Sequence, residues 1–193
     1  MNWQIKRQGR FWLVKKGKSR FLLQTFFYKK LRPFLKENPE VSEFKKVLLA
    51  LLKEKVLYFL ARRDRSQKEL ERYLKHLHLY QFWPQIKTWL ERLGLVDDRR
   101  FSFALVDYYL RRLYGPLYIG QQLRRRGVSR ELIERVLPKV YTKEKEKEVA
   151  KKLIEKYKRY HQLEGIKQKA KLVRYLSSRG FASDIIYELI DNL

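Results

Sequence analysis

From Ser42 onward the apolar residues return at steps of three and four. In SEFKKVLLALLKEKVLYFLARR they fall at Phe44, Val47, Leu48, Leu51 and Leu52, then at Val56, Phe59 and Leu60, the spacing of one buried helix face. A helix is predicted over about Ser42–Arg63. The next stretch, DRSQKELERYLKHL, opens with Ser66 and Glu69 spaced as a capping box and then sets Leu70, Leu74 and Leu77 on one stripe. QFWPQIKTWLERLG has Pro84 near its start and Gly94 at its end, the asymmetry expected of a helix. Ahead of these the pattern changes. Over about Trp3–Phe27, aromatic and β-branched residues alternate with lysines in short runs broken at Gly9 and Gly17, which predicts a small hairpin or three-stranded sheet. LRPFLKENPE, with Pro33 and Pro39, reads as a connector.

The helical part repeats. LERYLKHLHLYQFWPQIKTWL, IGQQLRRRGVSRELIERVL and LVRYLSSRGFASDIIYELI align on Leu74, Leu123 and Leu176, with Leu70, Ile119 and Leu172 four residues earlier. In the second and third copies a glycine follows four later, Gly127 and Gly180, then Val128 and Phe181, then Ile133 and Ile186, Leu137 and Ile190. The first copy has His78 in the glycine position and needs two extra residues to bring Ile86 and Leu90 into line. The anchors lie 49 and 53 residues apart, a repeat of roughly fifty. Each unit holds a leading helix, the anchor helix and a closing helix; the leading helices are expected over about Ser42–Arg63, Arg99–Tyr114 and Lys143–Tyr160. Gly127 and Gly180 are expected to be left-handed residues just past the anchor helix. A unit of this size buries its apolar faces poorly alone, so stacking is expected. The expected fold is mainly α: three tandem three-helix repeats in an elongated array, preceded by a small N-terminal β segment. The expected boundaries are 1–41 for the basic β segment and connector, then 42–96, 97–140 and 141–193 for the repeats.

Charge changes the picture from fold to partner. The 193 residues hold 46 Lys+Arg against 21 Asp+Glu, a formal net charge of +25. A field of that size attracts polyanions, nucleic acid first and an anionic membrane surface as the rival. Residues 1–46 alone carry thirteen Lys/Arg and three Asp/Glu, while the three segments that follow each net +5. The absence of cysteine excludes disulfides and thiolate metal sites. MNWQIKRQGRFWLVKKGKSRF has no apolar core of signal-peptide length, and the longest apolar runs, such as VLLALL, are too short to cross a bilayer. A soluble, cytoplasmic protein is expected.

Candidate chemistry is thin. Asp97 and Asp98 stand where one unit ends and the next leading helix begins, a place where carboxylates accept hydrogen bonds from free N–H groups. A metal or acid–base site would need further acids or a histidine beside them, and Asp107 lies more than two helical turns on. His76 and His78 point to different faces, and His161 stands alone. The glycines form no phosphate-binding loop, and no nucleophile–base–orienter set is present. No enzyme, cofactor or metal site is expected. What remains is basic: Arg62, Arg63 and Arg65; Arg99 and Arg100; Arg111 and Arg112; Arg124, Arg125 and Arg126 recur near helix ends. In the head, Lys6, Arg7, Arg10, Lys15, Lys16, Lys18 and Arg20 alternate with Trp3, Phe11, Trp12 and Phe21. Rings among cations can stack bases or face a core while the cations meet phosphate, and core is expected for at least half of them.

DRSQKELERYL, LGLVDDRRFSFALV and YGPLYIGQQLRRRGVSRELIERVL, in this order and spacing, resemble the RecX family, bacterial regulators of the RecA recombinase. The likeness runs from about Leu57 to Leu137, with a weaker third copy to Leu193 and a family-like basic strand segment in front. It implies three tandem three-helix units and no catalytic activity. It also implies a monomer that binds the RecA–DNA filament, single- or double-stranded DNA included, and modulates RecA ATPase, strand exchange and coprotease activity, with inhibition the expected direction. That would be a role in homologous recombination, DNA repair and the SOS response, away from membranes. The chain departs from the family pattern at HLHLYQF, which replaces a Lys-Gly-Phe-like corner with extra residues, and at Tyr118, where the family often has arginine. A stand-alone binder of DNA or RNA is the alternative.

Overall fold

The computed structural model describes residues 1–161 and 165–191. The chain divides into two compact units, Met1–Asp97 and Asp98–Leu193. It is mainly α, with one small sheet at the N-terminus.

The first unit opens with three antiparallel strands in sequence order, β1 Gln4–Gln8, β2 Phe11–Lys16 and β3 Ser19–Gln24. Gly9 and Gly17, at φ of 58° and 59°, make the two turns; short hairpin loops need such left-handed residues to match the twist of the strands. The register pairs Lys6 with Leu13, Leu13 with Leu22, and Lys15 with Arg20, so these side chains share one face. Val14, Phe21 and Leu23 point the other way and are buried.

The stretch that reads as a connector is a helix, α1 Thr25–Lys36, with Pro33 inside it. Proline removes one N–H from the ladder and crowds the preceding turn, at a cost of about 3 kcal/mol. Phe27, Leu31 and Leu35, four apart, are all buried in the core shared with the sheet and α2, and side chains of this size contribute about 1.5–3 kcal/mol each. Three such side chains outweigh one proline. Pro39 lies past the helix, where the chain turns into α2 Val41–Leu60. Then come α3 Gln67–His76, started by the Ser66–Glu69 capping box, a 3-10 turn at Tyr80–Phe82, and α4 Trp83–Arg92. The core joins Phe27, Leu31, Phe44, Leu48, Leu70, Leu74 and Ile86.

The second unit holds α5 Asp98–Leu110, α6 Pro116–Arg125, α7 Arg130–Val140, α8 Lys143–Lys158, α9 Ile166–Ser178 and α10 Ser183–Asp191. Its core takes Ile119 and Leu123 from one triplet and Leu153, Leu172 and Leu176 from the next. The two triplets meet through backbone: Gly115 N–H donates to Arg179 O at 2.8 Å and Leu117 N–H to Gly180 O at 3.1 Å. A Cβ on Gly115 would overlap Gly180 O, and one on Gly180 would overlap the backbone N of Tyr118. Only glycine permits that approach.

The repeat is visible in the backbone itself. Leu79, Val128 and Phe181 each donate back five residues, to Leu74 O at 3.0 Å, Leu123 O at 3.1 Å and Leu176 O at 3.3 Å. Gly127 and Gly180 have φ of 85° and 83°. His78, in the same place of the first copy, has φ of 58°, so a residue with a Cβ holds the left-handed corner there.

Candidate functional site

Many of the cations on or beside the helices are engaged by neighbouring acids or rings. Lys68 and Lys75 both reach Glu71 at 2.8 Å, and Lys145 and Lys152 reach Glu148 at 2.8 and 2.6 Å. Flanked by two ammonium groups, each of these glutamates is lowered to about 2. Arg111 meets Asp107 at 2.8 Å, and the Arg112 guanidinium lies 3.7 Å from the Tyr108 ring centroid. Arg63 grips the capping Glu69 with both terminal nitrogens, and Arg65 sits 3.9 Å from the Phe59 ring, on whose other side Tyr73 stacks. Arg62, Arg124 and Arg125 are exposed, with Arg126 half-buried at the close of α6. Arg99 and Arg100 are exposed in the first turn of α5, Arg99 lying 5.9 Å from Phe103.

The sheet sorts its cations by strand alternation. Lys6, Lys15 and Arg20 share the face turned from the core, alongside Phe11, Leu13 and Leu22. Arg10 and Lys18 are exposed in the two turns. Arg7 is on the opposite face, 5.9 Å from the Trp12 ring, which itself stacks on Tyr28 at 3.9 Å. Lys16 is internal: 8% exposed, its ammonium donates to Asn38 O at 3.3 Å and Pro39 O at 2.9 Å and pairs with Glu40 at 3.2 Å. It holds the bend between α1 and α2, helped by the Trp3 indole N–H, which also donates to Pro39 O. Of the four rings, Trp3, Trp12 and Phe21 pack on the core and Phe11 does not.

Beside the outward face runs an open trough of about 620 Å³. Leu13 and Leu22, paired across β2 and β3, give it an apolar lining. Arg20, Lys45 from α2 and Lys75 from α3 stand around it with Tyr80, and none of its lining residues is acidic. The His78 ring also lines it, edge-on to Phe11 at 4.7 Å. Lys45, Lys75 and Tyr80 were not legible as site residues from the sequence. The available signal was the pair of extra residues in the first copy: Tyr80 and Gln81 are the insertion, and both line the trough.

Little else has the makings of a reactive centre. Among the described residues no group of three or more His, Asp or Glu could hold a metal ion, and no helix is long and apolar enough to cross a membrane. Asp97 immediately precedes α5, Asp98 lies in its first turn, and Ser102 Oγ donates to Asp98 O at 2.6 Å. The His161 ring packs on Tyr157. Among the described residues one acid is buried: the Glu146 carboxylate accepts from Ala182 N–H at 2.8 Å at the start of α10, and burial pushes its pKa up.

Comparison with known proteins fits this architecture. The family profile described as RecX, second three-helix domain, matches residues 97–137, and that of the third three-helix domain matches 144–190. Regulatory protein RecX of Streptococcus equi subsp. equi is 31% identical over 147 residues, 73% of this chain and 55% of that protein. Regulatory protein RecX of Thermus thermophilus is 35% identical over 99 residues, 51% of this chain and 61% of that one. The chain thus spans about half to three-fifths of the length of these curated relatives. A crystal structure of a regulatory protein RecX superposes with a TM-score of 0.64 at 22% identity, covering 100% of this chain and 98% of the other, a likeness of fold. RecX from Lactobacillus salivarius superposes with a TM-score of 0.58 at 25% identity, over 73% of this chain and 93% of that one. With helix triplets, profiles and relatives in agreement, the chain belongs to the RecX family.

Proposed function

We propose that this protein is a non-catalytic regulator that binds, as a monomer, the RecA–DNA nucleoprotein filament and restrains RecA ATPase, strand exchange and coprotease activity. The observation that carries the reading is the scaffold: helix triplets of the RecX kind, shared with proteins named regulatory protein RecX, bearing a net charge of +25. Both units carry an excess of cations, so many modest contacts with an anionic filament add through high local concentration. A ligand that bridges neighbouring protomers and favours one filament state shifts the population toward it and slows the cycle. The DNA- and RecA-contacting residues are proposed among the exposed and half-buried cations: Lys6, Lys15 and Arg20 on the outward sheet face, Arg10 and Lys18 in its turns, Arg62 after α2, and Arg99, Arg100, Arg124 and Arg125 in the second unit. RecA ATPase on preformed filaments tests this. Protein that saturates the filament without changing the rate would sink it.

A stand-alone binder of nucleic acid is the second reading, favoured by the concentration of unmatched charge in residues 1–46. It requires tight binding to naked DNA that weakens steeply with salt as counterions are released.

A further inference from the structure

The trough beside β3 is placed where the first triplet departs from the other two. In the second and third triplets one residue, Ser129 or Ala182, separates the corner residue (Val128 or Phe181) from the closing helix; in the first, Tyr80, Gln81 and Phe82 do. The additional backbone forms the 3-10 turn, and Tyr80 and Gln81 line the trough together with Leu13, Arg20 and Leu22 of the sheet. Tyr80 is 43% exposed, a large ring left open to solvent, with the Lys75 ammonium 4.6 Å from its centroid. Phe82, a few residues past the left-handed His78, is buried and anchors the turn. The ring therefore lines the same trough as Leu13 and Leu22, on a turn anchored by a buried neighbour.

We propose that this trough is a site for one or two nucleotides of single-stranded nucleic acid, an unpaired base lying between the Tyr80 ring and the Leu13–Leu22 pair, with flanking phosphates on Arg20, Lys45 and Lys75. The inference rests on the nucleic-acid half of the function proposed above. Three features select this ligand. A base has a flat apolar face and its phosphate is anionic, and the trough offers a ring, an aliphatic lining and three cations within one space of about 620 Å³, inside the range of ~300–1,000 Å³ typical of ligand sites. No carboxylate lines the trough; Lys75 is shared with Glu71 at 2.8 Å, whereas Arg20 and Lys45 are exposed with no ion pair among the described residues. Stacking on an exposed ring needs a base out of its pair, so a duplex gains only the phosphate contacts.

The experiment is fluorescence anisotropy of the full chain with a labelled oligothymidylate and with a duplex of equal length, at fixed salt. Tyr80→Ala should weaken single-strand binding by about tenfold, as for removal of one base–aromatic stack, and leave duplex binding as it was. Tyr80→Phe, which keeps the ring, should bind like the parent. Arg20→Ala with Lys45→Ala should flatten the salt dependence for the single strand by about 0.7 in log–log slope for each phosphate no longer neutralised. Thermal melts of all variants should coincide with the parent, since the altered side chains are exposed. Equal single-strand affinity for Tyr80→Ala, or equal weakening on both DNA forms, overturns the proposal. So does poly-glutamate competing as strongly as oligothymidylate, which would make the trough a site for an acidic peptide. RecA ATPase measured in parallel separates the two readings: a Tyr80→Ala protein that restrains RecA fully and binds single strands normally removes the trough and leaves the regulator standing.

Discussion

Lys15 and Lys16 are neighbours in sequence with opposite fates. Strand alternation sends Lys15 to the open face and Lys16 into the bend at Asn38–Glu40, where two carbonyls and a carboxylate surround its ammonium. Hydrogen bonds to a charged group contribute about 1.5–3 kcal/mol. Lys16→Ala should therefore lower the stability of the protein by about that range in chemical denaturation, whereas Lys15→Ala should leave stability alone and reduce nucleic-acid affinity; a Lys16→Ala protein as stable as its parent contradicts the assignment. Glu146 is the other residue whose charge state is tied to the fold. Burial raises its pKa above the ordinary 4.5, so the folded state holds its proton more firmly than the unfolded chain does. The favourable contribution is complete below that ordinary value and is lost as pH rises through the raised one. Lys143 and Asp184 face the same carboxyl with opposite signs, and desolvation is the larger effect. Glu146→Gln keeps an oxygen for the Ala182 N–H and removes the ionisation. The two proteins should melt together at acid pH, and the Gln variant should melt higher as pH approaches neutrality. A gap opening in the opposite sense would mean that the charged form is the one the fold prefers.

At the scale of elements, α1 was the least legible. Its buried residues Phe27, Leu31 and Leu35 follow a helical period, but Pro33 falls within that period and Pro39 soon after it, and the stretch from Leu31 on reads as loop. Pro33 is exposed, so its side chain adds little packing to offset the missing N–H. Pro33→Ala should accordingly stabilise the protein by about 1–3 kcal/mol, checked by urea denaturation; a loss of stability would mean that the ring sets the path of the helix. The helix triplets were legible because one physical signal, apolar residues at steps of three and four closed by a left-handed glycine, recurs with its spacing kept. Even the exception was informative: His78 stands where glycine belonged and adopts the glycine conformation, φ 58°. The strands were legible from Gly9, Gly17 and the alternation between them. The trough was not, because it depends on which sheet face meets which corner. Lys45 is an ordinary exposed position of α2 by its period, and only the insertion of Tyr80 and Gln81 marked the place. The same limit applies to Lys16, whose lysine neighbours in the sequence look identical to it.

For the whole molecule, charge and scaffold carry the account together. Neither is sufficient alone: +25 suits any polyanion, and a helix-triplet scaffold carries no chemistry of its own. Together they support the reading proposed above, a protein that would act by occupying an anionic assembly. Such a protein differs from a DNA coat in stoichiometry, because one bound molecule affects several neighbouring subunits of a filament whereas a coat must cover the strand. The measurement that tests this most directly is RecA ATPase on single-stranded DNA, titrated with the protein at substoichiometric levels, alongside its binding to naked DNA at the same salt. The account predicts that ATPase activity falls well before enough protein is present to coat the DNA. Activity that falls only as the naked strand is saturated, in step with the binding curve, would contradict it.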